Sequence, residues 1–430
     1  MARIYVYDEF NPEDNAMLQA LYSRSPKSVT EHVEQVRNTG SGKFMEKFYV
    51  GYGHSSIADC GSTTLFIEGL SILADKAIQD WPLYAGQESS TRYIDFTKQE
   101  IIDPVSNEKS KEILDNWMKF YVASQEELRE FLKTKYPKKT DEVEKIYDKA
   151  IAARSFDIMR GFLPAGVTTQ LSWHTNLRQA ADKLFLMRYN PLAEVRQIAA
   201  EMLTKLQKKY ANSFGHQRYE ETEKYREAMM VKYNFFNSEE FTDSFTYKTN
   251  ISNQELEKYG EAIKNRPPKT NLPLFLAELG NITFDFLLDY GSFRDIQRHR
   301  NGVCRIPLLT INHGFNDWYL EQLPETLRGK ANELITKQKS LIAALDTSPE
   351  NKQYYIALGF NATCRVSYGL PATVYVVELR SGKTVHPTLR KIAHQMHHAL
   401  KKEFPNLTLH SDLDLDDWDV RRGLQDISVK

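Results

Sequence analysis

Cysteine and net charge are both scarce in this 430-residue sequence. The three cysteines, Cys60, Cys304 and Cys364, have no paired spacing, which excludes a disulfide framework and a CxxC zinc or redox site. Lys and Arg number 56 against 57 for Asp and Glu, giving a formal charge of −1. This balance excludes the basic field of a general nucleic-acid-binding protein, so we predict no nucleic-acid partner.

Long apolar runs are also missing. The best one, residues 63–78, contains Glu68, Asp75 and Lys76, whereas a membrane span needs about 18 uncharged residues. The alternating start, residues 2–7, predicts a first strand and no signal peptide. We therefore predict a cytoplasmic protein with no membrane partner.

The remaining composition favours a folded α/β protein. Hydrophobic residues make up 41% of the chain, enough for the cores of two or three domains. A helix is predicted over residues 12–22 behind the N-cap Asn11. The 3.6-residue apolar rhythm predicts long amphipathic helices over 109–133 and 318–345.

Two pairs of segments recur in the same order along the chain. STTLFIEGLSILADKAIQDW from Ser62 is similar to NITFDFLLDYGSFRDIQRHR from Asn281, and LMRYNPLAEVRQIAAEM from Leu186 is similar to ELRSGKTVHPTLRKIAHQM from Glu378. Both offsets are near half the length, which predicts a divergent tandem duplication. We predict copy one over 1–215, a connecting segment over 216–270, and a shortened copy two over 271–430. The predicted fold class is α/β (α+β), with two tandem units, each a mixed sheet flanked by long helices.

Two polar clusters are candidates for binding. In the first, Arg298-His299-Arg300, arginine forks suit phosphate oxygens. The same cations could instead complement the helix dipole, with Gly302 as the C-terminal cap. The second is QESSTRY at residues 87–93, which could bracket a nucleotide phosphate and sugar, or form a turn of local hydrogen bonds.

A family resemblance connects these clusters. GHSSIAD from Gly53, QESSTRY, and MRGFLP from Met159 resemble, in that order, motifs of the flavin-dependent thymidylate synthases (ThyX). The family signature combines RHR with a Glu-x-Ser-x-Arg-Tyr loop, and here each copy retains one half. Copy one has the loop but Asp80-Trp81-Pro82 in place of RHR, whereas copy two has RHR but Leu308 in place of the signature serine.

The resemblance implies the fold, reaction and partners of that family. It implies reductive methylation of dUMP to dTMP, with FAD as cofactor, NADPH as reductant and methylenetetrahydrofolate as co-substrate. Because family active sites lie between subunits of a homotetramer, it also implies a homodimer that forms a pseudo-tetramer.

Residue roles follow from the resemblance position by position. The implied dUMP-binding residues are Glu88, Ser90, Thr91, Arg92, Arg160 and Arg188, and Arg188 is the implied catalytic residue, stabilising charge on the pyrimidine. The implied FAD-binding residues are His54, Ser56, Asn176, Arg178, Arg298, His299, Arg300 and His386.

Departures from the family pattern leave other functions open. Asp295 replaces a glutamine before RHR, and one residue is inserted between Asn176 and Arg188. These changes allow a ThyX-like flavoenzyme that acts on another pyrimidine nucleotide. The broken signature also allows a decayed paralogue that binds nucleotide or flavin without catalysis.

Three histidines near the C-terminus have a spacing that could bind a metal. His394, His397 and His398 lie on one predicted helix, but no glutamate base or third ligand group accompanies them. We therefore predict a solvated helix face and no metal.

Overall fold

The computed structural model describes residues 9–25, 27–92, 94–234 and 244–420. It confirms a mixed α/β chain with two antiparallel sheets. The predicted strand over 2–7 lies outside the described residues. No helix in the described ranges is long and apolar enough to cross a membrane.

The first half of the chain is mostly helical. Its elements are α1 (Pro12–Tyr22), α2 (Val29–Thr39), α3 (Gly42–Phe44), a π-helical segment (Met45–Gly51), α4 (Ser55–Ala58), β1 (Ser62–Ser71), α5 (Ile72–Gln79), β2 (Ala85–Glu88), α6 (Glu108–Ala123), α7 (Gln125–Lys135), α8 (Glu144–Met159), a 3-10 turn (Arg160–Phe162), β3 (Thr168–Asn176), α9 (Leu177–Met187), α10 (Ala193–Lys209) and α11 (Glu220–Asn234).

The second half contains the larger sheet. Its elements are β4 (Phe245–Thr249), α12 (Asn253–Glu257), α13 (Gly260–Lys264), a 3-10 helix (Leu274–Leu279), β5 (Asn281–Asp289), α14 (Tyr290–Ile296), β6 (Gly302–Arg305), α15 (Asp317–Glu321), α16 (Glu325–Ala344), α17 (Pro349–Lys352), a 3-10 turn (Gln353–Tyr355), β7 (Asn361–Gly369), α18 (Leu370–Ser381) and α19 (Pro387–Glu403).

Both halves share an order of elements. A strand and helix (β1–α5, β5–α14) precede a short strand (β2, β6), and further helices lead to a 3-10 turn, a strand and two helices. The strand orders β1-β3-β2 and β5-β7-β6 also correspond, with β4 added beside β5. A tandem duplication requires this correspondence, and the duplication itself stays a prediction.

Packing divides the chain into two compact units that interleave along the sequence. Among the described residues, unit 1 contains 9–70, 74–88 and 170–232, and unit 2 contains 71–73, 89–169 and 233–420. These units do not coincide with the predicted copies, because 89–169 packs with the second half of the chain. The two units are defined by packing, whereas the two predicted copies are defined by common ancestry. The division into units therefore does not test the predicted boundaries of the copies, which stay a prediction.

Unit 1 contains the N-terminal helices and the smaller sheet. Asn11 caps α1 as predicted, accepting hydrogen bonds from the backbone N–H groups of Glu13 and Asp14. Behind that cap, α1 and α2 pack through a buried cluster of Met17, Leu18, Val33 and Val36.

Unit 2 is built on the four-stranded sheet β4-β5-β7-β6. Phe284 and Cys304 both pair with Val366, on opposite sides of β7, and all three are buried. Residues 161–166 pair with 354–359 through backbone bonds of 2.8–2.9 Å, and the Trp117 indole donates to the Tyr355 carbonyl. Segments from the first and second halves of the chain therefore share one core.

Three predictions of the sequence need correction. The sheets are antiparallel, not mixed, because the helical insertions return the chain to the same end of the sheet, whereas parallel pairing needs a crossover. The helix predicted over 109–133 is interrupted at Ser124, which the apolar rhythm does not reveal. The helix predicted over 318–345 is broken by Pro324, which cannot occupy a helix interior.

Candidate functional site

Unit 2 contains a cluster of buried arginines and aspartates. It begins with Arg92, which follows β2, and Asp157 on α8. The Arg92 Nε and Nη2 donate to the two Asp157 carboxylate oxygens at 2.7 and 3.3 Å. Burial lowers the pKa of Arg92, and the facing Asp157 carboxylate more than offsets this, so the net pKa is raised. The pair remains ionised.

Arg160 occupies the centre of this cluster with 1% of the residue exposed. Its Nη2 donates to the Ser292 hydroxyl at 2.7 Å and its Nε to the Tyr319 hydroxyl at 3.4 Å. The carboxylates of Asp289 and Asp295 each lie 3.9 Å away. Despite burial, the surrounding phenol and carboxylates raise the pKa of Arg160, so it is always a cation.

The N-terminus of α14 is tied to the same cluster. Asp289 caps this helix by accepting from the backbone N–H of Ser292 at 2.9 Å, and it also accepts from the Tyr319 hydroxyl at 2.7 Å. Each partner is fully or almost fully buried. A single carboxylate therefore fixes both the helix that leads to RHR and the phenol beside Arg160.

Asp295 links that helix to three cations. Its carboxylate lies 3.7 Å from the Arg298 Nε. Burial would raise the pKa of Asp295, but Arg298, Arg380 and Arg160 lower it more strongly. The residue that replaces the family glutamine is therefore an ionised carboxylate.

His299 is held neutral by its surroundings. Burial, followed by the charge of Arg380, lowers the pKa of His299 to about 3. The Arg380 Nε donates to the His299 Nε2 at 2.7 Å. Since Nε2 accepts, the proton of the neutral ring lies on Nδ1.

Ser90 and Thr91 of the QESSTRY segment lie in unit 2, and Thr91 contacts the helix that leads to RHR. The Arg294 Nη1 donates to the Thr91 hydroxyl at 3.1 Å, and both residues are buried. The Ser90 hydroxyl accepts from the Arg92 backbone N–H at 3.3 Å, which is a hydrogen bond typical of a local turn. Ser90, Thr91 and Arg92 thus belong to the same compact unit as RHR.

Arg298 and Arg300 follow α14 at the surface of this cluster. Arg298 is exposed, and an Arg300 N–H donates to the Arg298 carbonyl at 3.2 Å. The idea that Gly302 caps the helix is wrong, because Gly302 starts β6 and has no positive φ. A Cβ there would lie 2.3 Å from the Tyr368 ring, so close packing requires the glycine.

His386 lies in the interior of unit 2. It is the N-cap of α19, its Nδ1 accepts from the Thr388 backbone N–H at 3.4 Å, and its Nε2 lies 3.3 Å from the Asp157 carbonyl. Burial and the nearby Arg160 charge lower its pKa well below the ordinary value. Its contacts are those of a helix cap, and its predicted contact with FAD stays a prediction.

Glu88 belongs to unit 1, where it accepts from Lys76 Nζ at 2.8 Å and from Gln79 Nε2 at 2.5 Å. The side chains of Lys76 and Glu88 are each 4% exposed. Both residues lie close in sequence to Asp80-Trp81-Pro82, the segment predicted to stand in place of RHR.

Unit 1 also holds four of the predicted FAD residues. Asn176 caps α9 by accepting from Gln179 N at 2.8 Å, and Arg178 donates to Asp59 at 2.7 Å. The His54 Nδ1 is buried and has no hydrogen-bond partner among the described residues. Ser56 lies next to it on α4.

An FAD fits the donor set of this surface. The unpartnered His54 nitrogen and the Arg178 guanidinium, 34% exposed, can meet ligand oxygens. The rings of Phe48 and Tyr52 lie 6.4 and 6.1 Å from the His54 ring, and Tyr52 is 64% exposed, so an aromatic face is available.

Arg188 lies in unit 1 and is bound by a carboxylate of α11. Its Nη1 donates to Glu223 at 2.8 Å, and its guanidinium lies 4.8 Å from the Phe185 ring. Glu223 also binds Arg226 at 2.8 Å and the Tyr189 hydroxyl. The Arg188 Nη2 is buried without a partner among the described residues.

Sequence reasoning missed four residues of the unit 2 cluster. Asp157, Asp289 and Tyr319 carry no motif, and burial alone reveals them. Arg380 had a signal, because the predicted duplication aligns LMR (186–188) with ELR (378–380) and so pairs Arg380 with Arg188.

The arrangement can bind an anion and orient it. The described residues contain no group of three or more His, Cys, Asp or Glu side chains that could hold a metal. His394 and His397 instead contact the C-terminal segment, at the Asp412 carbonyl and the Ser411 hydroxyl.

Comparison with known proteins finds a family match within the first half of the chain. Residues 6–210 match the Thy1 family model, described as thymidylate synthase complementing protein. A UPF0159 protein of Chlamydia pneumoniae is 25% identical over 442 residues, covering 86% of this chain and 82% of the relative. A UPF0159 protein of Chlamydia muridarum is similar to the same extent, 25% over 439 residues, again with 86% and 82% coverage. One from Thermoplasma acidophilum is 22% identical over 472 residues, with coverage of 92% and 94%.

Proposed function

Because residues 6–210 carry a Thy1-family (ThyX) domain, we propose that this protein is a flavin-dependent thymidylate synthase. It would methylate dUMP to dTMP reductively with methylenetetrahydrofolate and NADPH. When bound, FAD would supply the hydride chemistry, and the protein would supply binding, orientation and electrostatics.

One observation carries the proposal beyond family membership. The Thr91 hydroxyl accepts from Arg294 at 3.1 Å, so Thr91 of the QESSTRY segment packs in unit 2 against the helix that precedes RHR. Each half-signature alone has an ordinary structural explanation. Together they bring hydroxyl and guanidinium groups into one unit, and these groups can bind the phosphate of a nucleotide.

The chain's own residues would divide the work of substrate binding. Arg92 uses Nε and Nη2 on Asp157, and its Nη1 has no partner among the described residues, so it can donate to the dUMP phosphate. Ser90 and Thr91 would add hydroxyl donors. Arg160 would fix the cluster, because its Nε and Nη2 already donate to Tyr319 and Ser292.

In unit 1, the residues proposed to contact FAD are His54, Ser56, Asn176 and Arg178. In unit 2, the residues proposed to contact FAD are Arg298, His299, Arg300 and His386. Neutral His299 can donate from Nδ1 without adding charge. Arg188 remains the predicted pyrimidine residue, where removing a donor typically slows turnover about 10²–10³-fold.

The test is an assay on the purified full-length protein. We expect visible flavin absorption bands, and tritium release from dUMP labelled at C5 when NADPH and methylenetetrahydrofolate are present. Arg92→Ala should abolish the release, whereas Arg365→Lys, at a surface ion pair with Asp285, should retain it.

Other outcomes identify the alternatives. Flavin reduction by NADPH without tritium release would replace dUMP by another pyrimidine nucleotide. Failure to take up FAD, with dUMP still bound, would indicate a non-catalytic nucleotide-binding protein. Light scattering tests the proposed homodimer, for which we expect twice the mass of one chain.

A further inference from the structure

The chain after Leu407 runs along unit 2 without a helix or strand, and we call residues 408–420 the C-terminal strap. No residue of the strap is fully buried, and Leu413 and Leu415 are 38% and 83% exposed. Apolar burial therefore contributes little to its attachment. The strap is strongly acidic, because it contains Asp412, Asp414, Asp416, Asp417 and Asp419.

Cations of α19 and of the turn before it hold the strap on one side. Lys383, in that turn, lies 2.8 Å from the Asp414 carboxylate and 3.1 Å from that of Asp419. Arg390 of α19 donates to the Asp414 backbone carbonyl. The strap is therefore attached here by charged groups, which can be broken and re-formed without exposing a hydrophobic core.

The end of the strap is bound to α8. Arg154 donates to the Asp417 carboxylate, and the two side chains are 5% and 12% exposed. The Trp418 ring stacks on the Tyr136 ring with centroids 4.3 Å apart, and the Arg154 guanidinium lies 5.9 and 5.8 Å from these two rings. One arginine of α8 thus holds the strap by an ion pair and by two cation–π contacts.

Arg154 lies one helical turn before Asp157, the residue whose carboxylate binds Arg92 at 2.7 Å. Side chains three residues apart on a helix are neighbours. Burial lowers the pKa of Arg154, and the carboxylates of Asp417 and then Asp157 help to raise it above its usual value. A buried cation that loses one carboxylate is strongly destabilised unless another replaces it. Asp157 is the replacement that α8 itself offers.

We infer that the C-terminal strap is a releasable regulatory segment that sets the ion-pair partner of Asp157. With the strap bound, Arg154 pairs with Asp417, and Asp157 binds Arg92. With the strap released, Arg154 turns to Asp157 and weakens the pair of Asp157 with Arg92. Asp417 and Arg154 are therefore positioning residues for Arg92. The inference involves no substrate, so it stands or falls separately from the proposed function.

The experiment is amide hydrogen exchange of the full-length protein, measured by mass spectrometry at two reporter amides. The Asp412 N–H, which donates to the Ser381 hydroxyl at 3.0 Å, reports on the strap. The Ile94 N–H, which donates to the Ser90 carbonyl at 3.1 Å, reports on the turn that contains Arg92.

Asp417→Asn should release the strap and accelerate exchange at both reporters by about tenfold, the effect expected for one hydrogen bond between charged groups. Asp417→Glu keeps the carboxylate and should stay within about twofold of the wild type. Asp346→Asn removes an exposed carboxylate of the same unit that lies outside the strap, and it should change neither reporter.

Arg154→Gln distinguishes the inference from a purely structural role of the strap. This variant also loses the ion pair with Asp417, so the strap reporter should accelerate. No cation then competes for Asp157, so the Ile94 reporter should keep the wild-type rate. The double variant Asp417→Asn/Arg154→Gln should behave like Arg154→Gln alone.

Two results would overturn the inference. One is an Ile94 reporter that Asp417→Asn leaves unchanged, and the other is equal acceleration of that reporter in Asp417→Asn and Arg154→Gln. Thermal melting checks that each variant folds. If Arg154→Gln does not fold, the two Asp417 variants decide, because acceleration by Asp417→Glu as large as by Asp417→Asn also contradicts the inference.

Discussion

At the scale of single residues, a neutral histidine between arginines makes stability depend on pH. The pKa of His299 is about 3 in the folded protein, whereas an unfolded histidine has a pKa near 6.5. Between these values the unfolded chain binds more protons than the folded chain. Protonation therefore favours unfolding, and the contribution of His299 to stability is lost as pH falls from about 6.5 towards 3.

We predict that His299→Gln flattens the pH dependence of the free energy of unfolding between about pH 7 and 4. The measurement is urea unfolding at a series of pH values. His398→Gln is the control, because His398 is exposed and should leave the slope unchanged. Equal slopes for wild type and His299→Gln would contradict the prediction.

Sequence patterns found some site residues and missed others for a physical reason. Thr91 and Arg92 were predicted from a motif of hydroxyl and guanidinium groups, and they lie in the unit 2 cluster. Asp157 and Tyr319 have no motif, because their importance comes from burial beside an arginine. Burial depends on packing between segments that are distant in sequence.

At the scale of elements, β6 depends on one glycine. A Cβ on Gly302 would lie 2.3 Å from the Tyr368 ring and 2.4 Å from the Ser367 carbonyl oxygen. By contrast, a Cβ on Gly329, within α16, meets nothing within 4 Å. The two glycines should therefore respond oppositely to the same substitution.

We predict that Gly302→Ala lowers the free energy of unfolding by about 1–3 kcal/mol through overpacking. Gly329→Ala should raise it by about 0.5–1 kcal/mol, because alanine loses less backbone entropy in a helix. Urea unfolding of both variants measures the difference. A stabilising Gly302→Ala would show that β6 can move away from β7.

Helix α11 is attached differently from the other long helices. From Glu220 to Tyr233 it has no fully buried residue, and Tyr225 is 66% exposed. Two of its side chains contact the preceding segment of unit 1: the Glu223 carboxylate is bound to Arg188 and Tyr189, and the Arg226 guanidinium lies 5.4 Å from the Phe185 ring. Because none of these residues is fully buried, local unfolding of the helix exposes little apolar surface.

We predict that Glu223→Gln increases amide hydrogen exchange across α11 and changes global stability by less than about 1 kcal/mol. Glu221→Gln, at an exposed position of the same helix, should leave exchange unchanged. Mass spectrometry of peptides from this helix makes the comparison. A large loss of global stability would mean that α11 is part of the core.

The helices and strands were easier to predict than their arrangement. Asn11 and the proline after it predicted the start of α1 correctly, because capping is local. Pro324 is a signal in the sequence for the break between α15 and α16, but the apolar rhythm used for the prediction does not include it. The packing of 89–169 with the second half of the chain could not be predicted from local sequence. It depends on contacts between residues that are far apart in the chain.

At the scale of the whole molecule, unit 2 needs both halves of the sequence. Trp117 and Phe162 of the first half are fully buried; the Trp117 indole bonds to Tyr355, and the Phe162 ring lies 5.0 Å from that of Phe315. A fragment ending at residue 215 would expose these side chains. Exposed aromatic surface of this kind drives aggregation.

We predict that residues 1–215 produced alone are insoluble, and that coexpression with residues 216–430 restores a soluble complex. Affinity purification through a tag on one fragment measures recovery of the other. A soluble, cooperatively melting 1–215 fragment would contradict this description of unit 2.

The backbone pairing of residues 161–166 with 354–359 also has a consequence for synthesis in the cell. A ribosome releases the N-terminal half first, so residues 89–169 leave the exit tunnel long before their partners are translated. Residues 89–169 therefore remain without their packing partners while the rest of the chain is synthesised. We expect chaperones to bind this stretch of the nascent chain.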